Sequence, residues 1–128
     1  MDFPESLWYT RDHEWVRFEG DEAFIGLTDF AKRELGNILY VDIPLAEDEF
    51  FEGEVFGTIE AVKTISDLCM PISGRIVAIN QTLKRQPEMV NTQAYEAWMI
   101  RIRLSTPDGN DRLLTAQQYR ELVGIINS

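Results

Sequence analysis

The chain has 128 residues, enough for one domain with a real core and too few for two. A hydrophobic share of 45% with 27% charged residues fits a globular protein and excludes a disordered one. The 22 acidic side chains against 12 basic ones give a formal net charge of −10, which repels nucleic acid and anionic lipid and leaves proteins as the expected partners.

Leu7 to Thr10 reads as a first extended piece, and Trp15 to Glu19 alternates apolar with polar residues as a half-buried strand does. Gly20 and Asp21 supply turn chemistry, so Glu22 to Leu27 is expected to return as the second arm of a hairpin. Thr28 or Asp29 caps a short helix through Phe30 to Leu35, ended by Gly36 and Asn37. Ile38 to Ile43 sets Ile38, Tyr40 and Asp42 against Leu39, Val41 and Ile43. Both faces are largely apolar, so a mostly buried strand is expected, closed by Pro44. The acidic residues from Glu47 to Glu54 read as a solvated loop and turn, with partner docking as the alternative, and Val55 to Ile59 is the next strand.

Beyond the segment from Gly57 to Gly74, a strand is expected over Gly74 to Asn80, with Ile76 and Ala78 on one face and Val77 and Ile79 on the other. Thr82 to Gln86 forms one helical turn before Pro87, and Glu88 to Asn91 reads as a loop. Trp98 to Leu104 alternates cleanly, with Trp98, Ile100, Ile102 and Leu104 inward and Arg101 and Arg103 outward. Pro107 to Asn110 is a turn, and Thr115 caps a final amphipathic helix in which Tyr119, Leu122 and Val123 share a face. About seven short strands with glycine or proline turns and small helices at the edges describe a compact, mainly β barrel or sandwich spanning residues 1–128 as one domain.

No glycine-rich dinucleotide or phosphate loop and no nucleophile elbow is present. The single cysteine, Cys69, rules out an intramolecular disulfide and fits a reducing compartment. The first residues lack the basic flank and apolar core of a signal peptide, and no apolar run is long enough to cross a bilayer. A cytoplasmic monomer without membrane attachment is therefore expected. His13 and Cys69, far apart, argue against a zinc site.

The distinctive stretch is Gly57 to Gly74. It sets Lys63 between two apolar strand-like runs, with Glu60 and Asp67 nearby, and Val55 to Ile59 loosely matches Ile72 to Ile76, as two hairpin arms about the lysine would. If the flanking strands pair antiparallel, Val62 and Lys63 fall at the turn and the amine projects from the outermost point. An exposed amine beside carboxylates stays protonated and is unsuited to Schiff-base catalysis, which needs a desolvated or cation-rich pocket. Such a lysine is suited to a modifying enzyme that attaches a carried cofactor. The plain alternative is an ordinary surface lysine in a turn.

Glu60-Ala61-Val62-Lys63-Thr64-Ile65-Ser66-Asp67, followed by Pro71-Ile72-Ser73-Gly74, resembles the lipoylation segment of the glycine cleavage H-protein family. The resemblance covers nearly the whole chain. Tyr9 to Val16 resembles the family's opening, Ile25 to Ala31 its first strand and helix, and Leu35 to Val41 the segment that follows. It implies a flattened hybrid β-barrel of lipoyl-domain type whose Lys63 bears lipoic acid in amide linkage. It also implies a non-catalytic carrier. The arm would take an aminomethyl group from glycine decarboxylase, present it to the aminomethyltransferase and be reoxidised by dihydrolipoyl dehydrogenase. On the same resemblance Glu60 and Asp67 are recognition determinants for the lipoate-attaching enzyme, the alternative being solvated hairpin charges. Biotin carriers share the hairpin but flank the lysine with methionines, where Val62 and Thr64 stand here.

After Asn91 the chain departs from the family pattern, since Thr92 to Trp98 lacks the usual proline-tyrosine pair and glycine run. In such altered details it resembles H-like lipoate-binding proteins of heterodisulfide-reductase-like sulfur-oxidation complexes, whose arm would carry sulfur. A cofactor-free protein-interaction module is the third reading. His13 and Glu14 could face the arm, although a lone histidine beside Trp15 is more simply a hydrogen-bonded structural residue. Cys69 invites thiol exchange with a dithiolane, yet its neighbours Leu68, Met70 and Ile72 suit a partly buried filler. Trp15 and Trp98 read as core or barrel-end packing.

Overall fold

The computed structural model describes residues 2–43, 48–106 and 112–127, without the side chains of 126 and 127. The expectations at Pro44, at Glu47 and over Pro107 to Asn110 lie outside the described residues.

Two antiparallel sheets form the molecule. The larger has six strands in the order β1-β2-β3-β9-β8-β5, made of β1 (Trp8–Tyr9), β2 (Glu14–Glu19), β3 (Glu22–Leu27), β9 (Ile100–Leu104), β8 (Gly74–Ile79) and β5 (Glu49–Phe50). The smaller has three in the order β4-β6-β7, made of β4 (Ile38–Asp42), β6 (Val55–Ala61) and β7 (Ile65–Cys69). Their inner faces share one apolar core that includes Ile25, Val41, Ile59, Leu68, Ile76 and Ile102. The mainly β barrel-like sandwich with peripheral helices is the fold that the strand spacing leads one to expect.

The helices are short and begin where capping chemistry allows. Thr28, not Asp29, caps α1 (Asp29–Leu35), its Oγ1 accepting from the Ala31 N–H at 3.2 Å. Asn80 ends β8 by capping α2 (Gln81–Arg85). Thr115 starts α4 (Ala116–Asn127) with a reciprocal pair: its Oγ1 accepts from the Gln118 N–H at 3.2 Å, and Gln118 Oε1 accepts from the Thr115 N–H at 2.9 Å. Tyr119 and Val123 of α4 bury themselves with Phe3, Tyr9, Trp15 and Phe30 in a second apolar cluster, with Leu122 packed against it.

Several expectations are corrected. Glu88 to Asn91 contributes to one helical turn, α3 (Met89–Thr92), because Val90 is drawn into the core. The acidic segment contains the short strand β5 rather than loop alone, since Glu49 and Phe50 pair with Arg75 and Gly74. Trp98 stands outside β9 and is only half-buried, stacked edge-on against Phe24 at 5.3 Å, while Met99 takes the buried place before Ile100. Leu104 is likewise only partly buried.

Two bulges explain the faces that simple alternation misplaces. In β8 the register shifts between Ile76 and Ala78, so Ile76 opposes Ile102 and Ile79 opposes Ile100. Ile100 and Ile102 point the same way, so Ile79 shares a face with Ile76 instead of opposing it. In β4 the shift between Ile38 and Tyr40 turns Leu39 and Tyr40 both outward, at 52% and 51% exposure. That strand is therefore half-buried, not mostly buried.

The loose likeness between Val55–Ile59 and Ile72–Ile76 does not mark two arms of one hairpin. The arms about Lys63 are β6 and β7, while Gly74 opens β8 in the other sheet. What the segments share is close backbone approach. A methyl group on Gly57 would lie 2.6 Å from the Asp42 carbonyl oxygen, and one on Gly74 would lie 2.6 Å from that of Arg103.

Candidate functional site

The β6–β7 hairpin closes on a hydrogen bond from the Ala61 N–H to the Thr64 carbonyl at 2.8 Å, which leaves Val62 and Lys63 at the turn. Lys63 is exposed, as antiparallel pairing of its flanks predicts, and its side chain makes no ion pair with the described residues. Its backbone is not free. The Val62 N–H donates to the Asn37 carbonyl at 3.0 Å and the Lys63 N–H to the Leu35 carbonyl at 3.3 Å, so the end of α1 grips the turn. Gly36 sits between these acceptors at φ 82°, a conformation that a side chain would strain, and a methyl group there would lie 3.4 Å from Lys63 Cγ.

Glu60 and Asp67 are both exposed on the hairpin. Glu60 opposes Tyr40 on one side and Ile65 on the other, whereas Asp67 opposes Thr58 two residue pairs further from the turn on the same face. The carboxylates flank the lysine along the sheet without contacting it.

Beside the hairpin lies a cleft of about 110 Å³. It is lined by Ser66, Asp67, Leu68 and Cys69 of the edge strand β7, by Ile59 of β6, by Ala31, Glu34 and Leu35 of α1, and by Asp12, His13, Glu14 and Leu27. Leu35 belongs both to this lining and to the grip on Lys63.

Glu14 is the unusual member. It is 1% exposed, and neither carboxylate oxygen has a hydrogen-bond partner among the described residues. Burial pushes its carboxyl well above the usual carboxylate range, and Asp12 adds to the shift. An unpartnered buried carboxyl is costly, which marks Glu14 as a candidate functional residue.

His13 combines the two readings that its sequence context allows. The residue lines the cleft, and its Nδ1 lies 2.8 Å from the Tyr119 hydroxyl, which is itself 2.8 Å from Thr28 Oγ1. Its backbone adopts a left-handed φ of 67°, held by its N–H to the Thr10 carbonyl and by its own carbonyl, which accepts from the Thr28 N–H. Burial lowers its imidazole below the ordinary histidine range, against the opposing pull of Asp12 and Glu34.

Cys69 borders the cleft, but burial raises its thiol, reinforced by Asp12, Glu14 and Asp67. With the thiolate disfavoured, the partly buried filler is the better description. Trp15 is fully buried and donates from Nε1 to the Ala94 carbonyl at 3.0 Å. The departing segment after Asn91 thus packs on Trp15, and none of its residues lines the cleft.

The sequence profile described as "Glycine cleavage H-protein" matches residues 7–125. The chain belongs to the glycine cleavage H-protein family. It is 47% identical over 125 residues to the glycine cleavage system H protein of Staphylococcus carnosus (strain TM300), covering 97% of this chain and 99% of that protein. The crystal structure of a glycine cleavage system H protein from Mycobacterium marinum superposes with a TM-score of 0.86 at 32% identity, over 95% of this chain and 99% of that one. H proteins are lipoyl carriers without turnover of their own, so the chain is a carrier in glycine cleavage and not an enzyme. The sulfur-carrying and cofactor-free readings are not favoured, since both relatives bear the glycine-cleavage name and the altered loop stands away from the cleft. Among the described residues no helix is long and apolar enough to cross a membrane.

Sequence reasoning placed Lys63 at an exposed turn with Glu60 and Asp67 on its arms, as the structure has them. It missed the grip of Leu35 and Asn37 on the turn, and it noted Glu14 without seeing its isolation. The available signal was a glutamate placed directly before Trp15-Val16, where strand alternation turns it toward the core.

Proposed function

We propose that Lys63 is the lipoyl attachment residue, that residues 1–128 act as one cytoplasmic, monomeric carrier domain, and that the carried arm rests in the cleft that Glu14 helps to line. The observation that carries this reading is the pairing of an exposed amine on a pinned turn with an adjacent cleft containing an unpartnered buried carboxyl.

The chemistry of the lining supports a lipoyl chain as the occupant of the cleft. Leu27, Ala31, Leu35, Ile59 and Leu68 offer apolar walls to a hydrocarbon arm, and Leu35 stands at the foot of Lys63. Attachment forms an amide between Nζ and an activated lipoyl carboxyl, with a proton leaving the amine and the activating group departing from the carbonyl. Once bound, the group supplies a dithiol/disulfide couple at the end of a flexible tether.

The remaining work falls to the chain's own side chains. Leu35 and Asn37 carbonyls orient the turn so that Nζ points outward for the attaching enzyme. The apolar walls exclude water from whatever enters. Glu14 supplies a negative charge or a hydrogen-bond acceptor to the cleft lining, and a cationic amine arriving there would draw its carboxyl back toward ionisation. That chemistry suits an aminomethyl cargo better than a neutral sulfur cargo. Glu60 and Asp67, exposed on the hairpin, are recognition charges for the lipoate-attaching enzyme. Glycine decarboxylase, the aminomethyltransferase and dihydrolipoyl dehydrogenase are the enzymes that the arm would visit.

Peptide mass spectrometry after incubation with a lipoate ligase, lipoate and ATP tests attachment, and an unmodified Lys63 would overturn it. Reconstituted glycine decarboxylation with the lipoylated protein tests the cargo. A well-folded lipoylated protein that supports no turnover would overturn the aminomethyl assignment.

A further inference from the structure

We propose that the outward face of the β4–β6–β7 sheet is the docking surface for the enzyme that modifies Lys63, and that this enzyme presents an apolar contact rimmed by lysine or arginine side chains. The inference rests on Lys63 being the attachment residue.

Cross-strand register aligns Tyr40, Glu60 and Ile65 in one row and Asp42, Thr58 and Asp67 in the next. Directly opposed residues share a face, so the two rows form one surface. Tyr40 is 51% and Ile65 67% exposed. Of the seven exposed large apolar side chains among the described residues, five belong to this sheet or its turn: Leu39, Tyr40, Val55, Val62 and Ile65. Val55 lies at the far end of β6, but Leu39, Tyr40, Val62 and Ile65 lie toward the lysine end of the sheet. Single exposed apolar side chains are ordinary, whereas a group of them near the lysine marks a contact surface. The bulge between Ile38 and Tyr40 strengthens the case, because without it regular alternation would turn Leu39 and Tyr40 to opposite faces.

Charge selects the kind of occupant. Asp42, Glu60 and Asp67 are exposed on these rows, and none of the six residues in them is basic. A second copy of the chain would set these carboxylates against themselves, and a net charge of −10 repels nucleic acid and anionic membranes. A partner with a cationic rim is complementary, gaining encounter rate from the carboxylates and contact energy from Tyr40 and Ile65.

Position selects among protein partners. Glu60 and Ile65 bracket the turn, so an enzyme that forms a bond at Nζ covers this row when its active site reaches the lysine. Enzymes served by the finished arm meet its far end and need not touch the sheet.

The test measures initial rates of lipoylation by a lipoate ligase, with lipoate and ATP, against the concentration of the unmodified protein. Tyr40→Ser and Ile65→Ser should each raise the KM for the carrier about tenfold with kcat within about twofold. Asp67→Lys should raise it comparably and flatten its dependence on salt. Phe51→Ser, which removes an exposed apolar side chain outside this sheet, should leave KM unchanged. Circular dichroism and thermal melts verify that each variant is folded. Wild-type KM values in folded Tyr40, Ile65 and Asp67 variants overturn the docking surface while leaving attachment intact, and so does an equal rise in Phe51→Ser. A wild-type protein that is never lipoylated overturns both.

Discussion

The Lys63 N–H donates to the Leu35 carbonyl oxygen at 3.3 Å, joining the tip of the β6–β7 hairpin to the last residue of α1. A modified lysine on an isolated hairpin would wander with its turn. Here the helix end fixes where the side chain starts, and Gly36 leaves room for its stem.

Gly36→Ala should therefore disturb both stability and presentation. The residue sits at φ 82° and ψ −170°, where a side chain costs about 1–3 kcal/mol. Urea unfolding should show a loss in that range, and ligase assays on the folded fraction should show slower modification. Wild-type stability would mean that the corner relaxes without strain.

Lys63→Arg should abolish lipoylation and change stability by less than about 0.5 kcal/mol, because an exposed turn side chain contributes little burial. Intact-protein mass and a denaturant titration check the two halves separately.

Glu14→Gln should alter the pH dependence of stability in a defined sense. The folded-state pKa of Glu14 is raised, so above the ordinary carboxylate pKa the folded protein holds a proton that the unfolded chain has released. Stability thus falls as pH rises from that ordinary value toward the raised one. The substituted glutamine would keep the shape and remove this slope, which urea midpoints from acid to neutral pH would register. Parallel curves for both proteins would mean that Glu14 titrates normally.

Tyr119→Phe keeps the ring stacked on Tyr9 at 4.7 Å but removes the hydroxyl that meets both His13 and Thr28. A cost of about 1–3 kcal/mol is expected from the polar groups left behind. His13 itself has a lowered folded pKa, so its contribution is present above the ordinary histidine range and is lost as pH falls from that range through the lowered value. Histidine ring resonances followed by NMR should titrate below a model peptide.

Much of this was legible from residues alone where the physics is local. Thr28 and Thr115 cap helices because a short side-chain oxygen reaches the next backbone N–H groups, whatever lies beyond, whereas Asn80, expected to end a strand, caps α2 instead. Alternation placed Ile100 and Ile102 inward and Arg103 outward. It failed wherever a bulge added a residue to one strand, as at Leu39 and Val77, since bulges depend on the partner strand and not on the run itself.

By itself the sequence determined the β-rich class, the helix caps, the exposed lysine with its flanking carboxylates, and through its ordered motifs the family. Those features are written in neighbouring residues, which share a turn, a cap or a strand period. Only the tertiary structure decided that α1 holds the turn of Lys63, that Glu14 is buried beside a cleft without a hydrogen-bond partner among the described residues, and that Tyr40 joins Glu60 and Ile65 in one exposed row. Each of these joins residues from separate elements, whose meeting is set by core packing and strand register and not by any preference within the segments themselves.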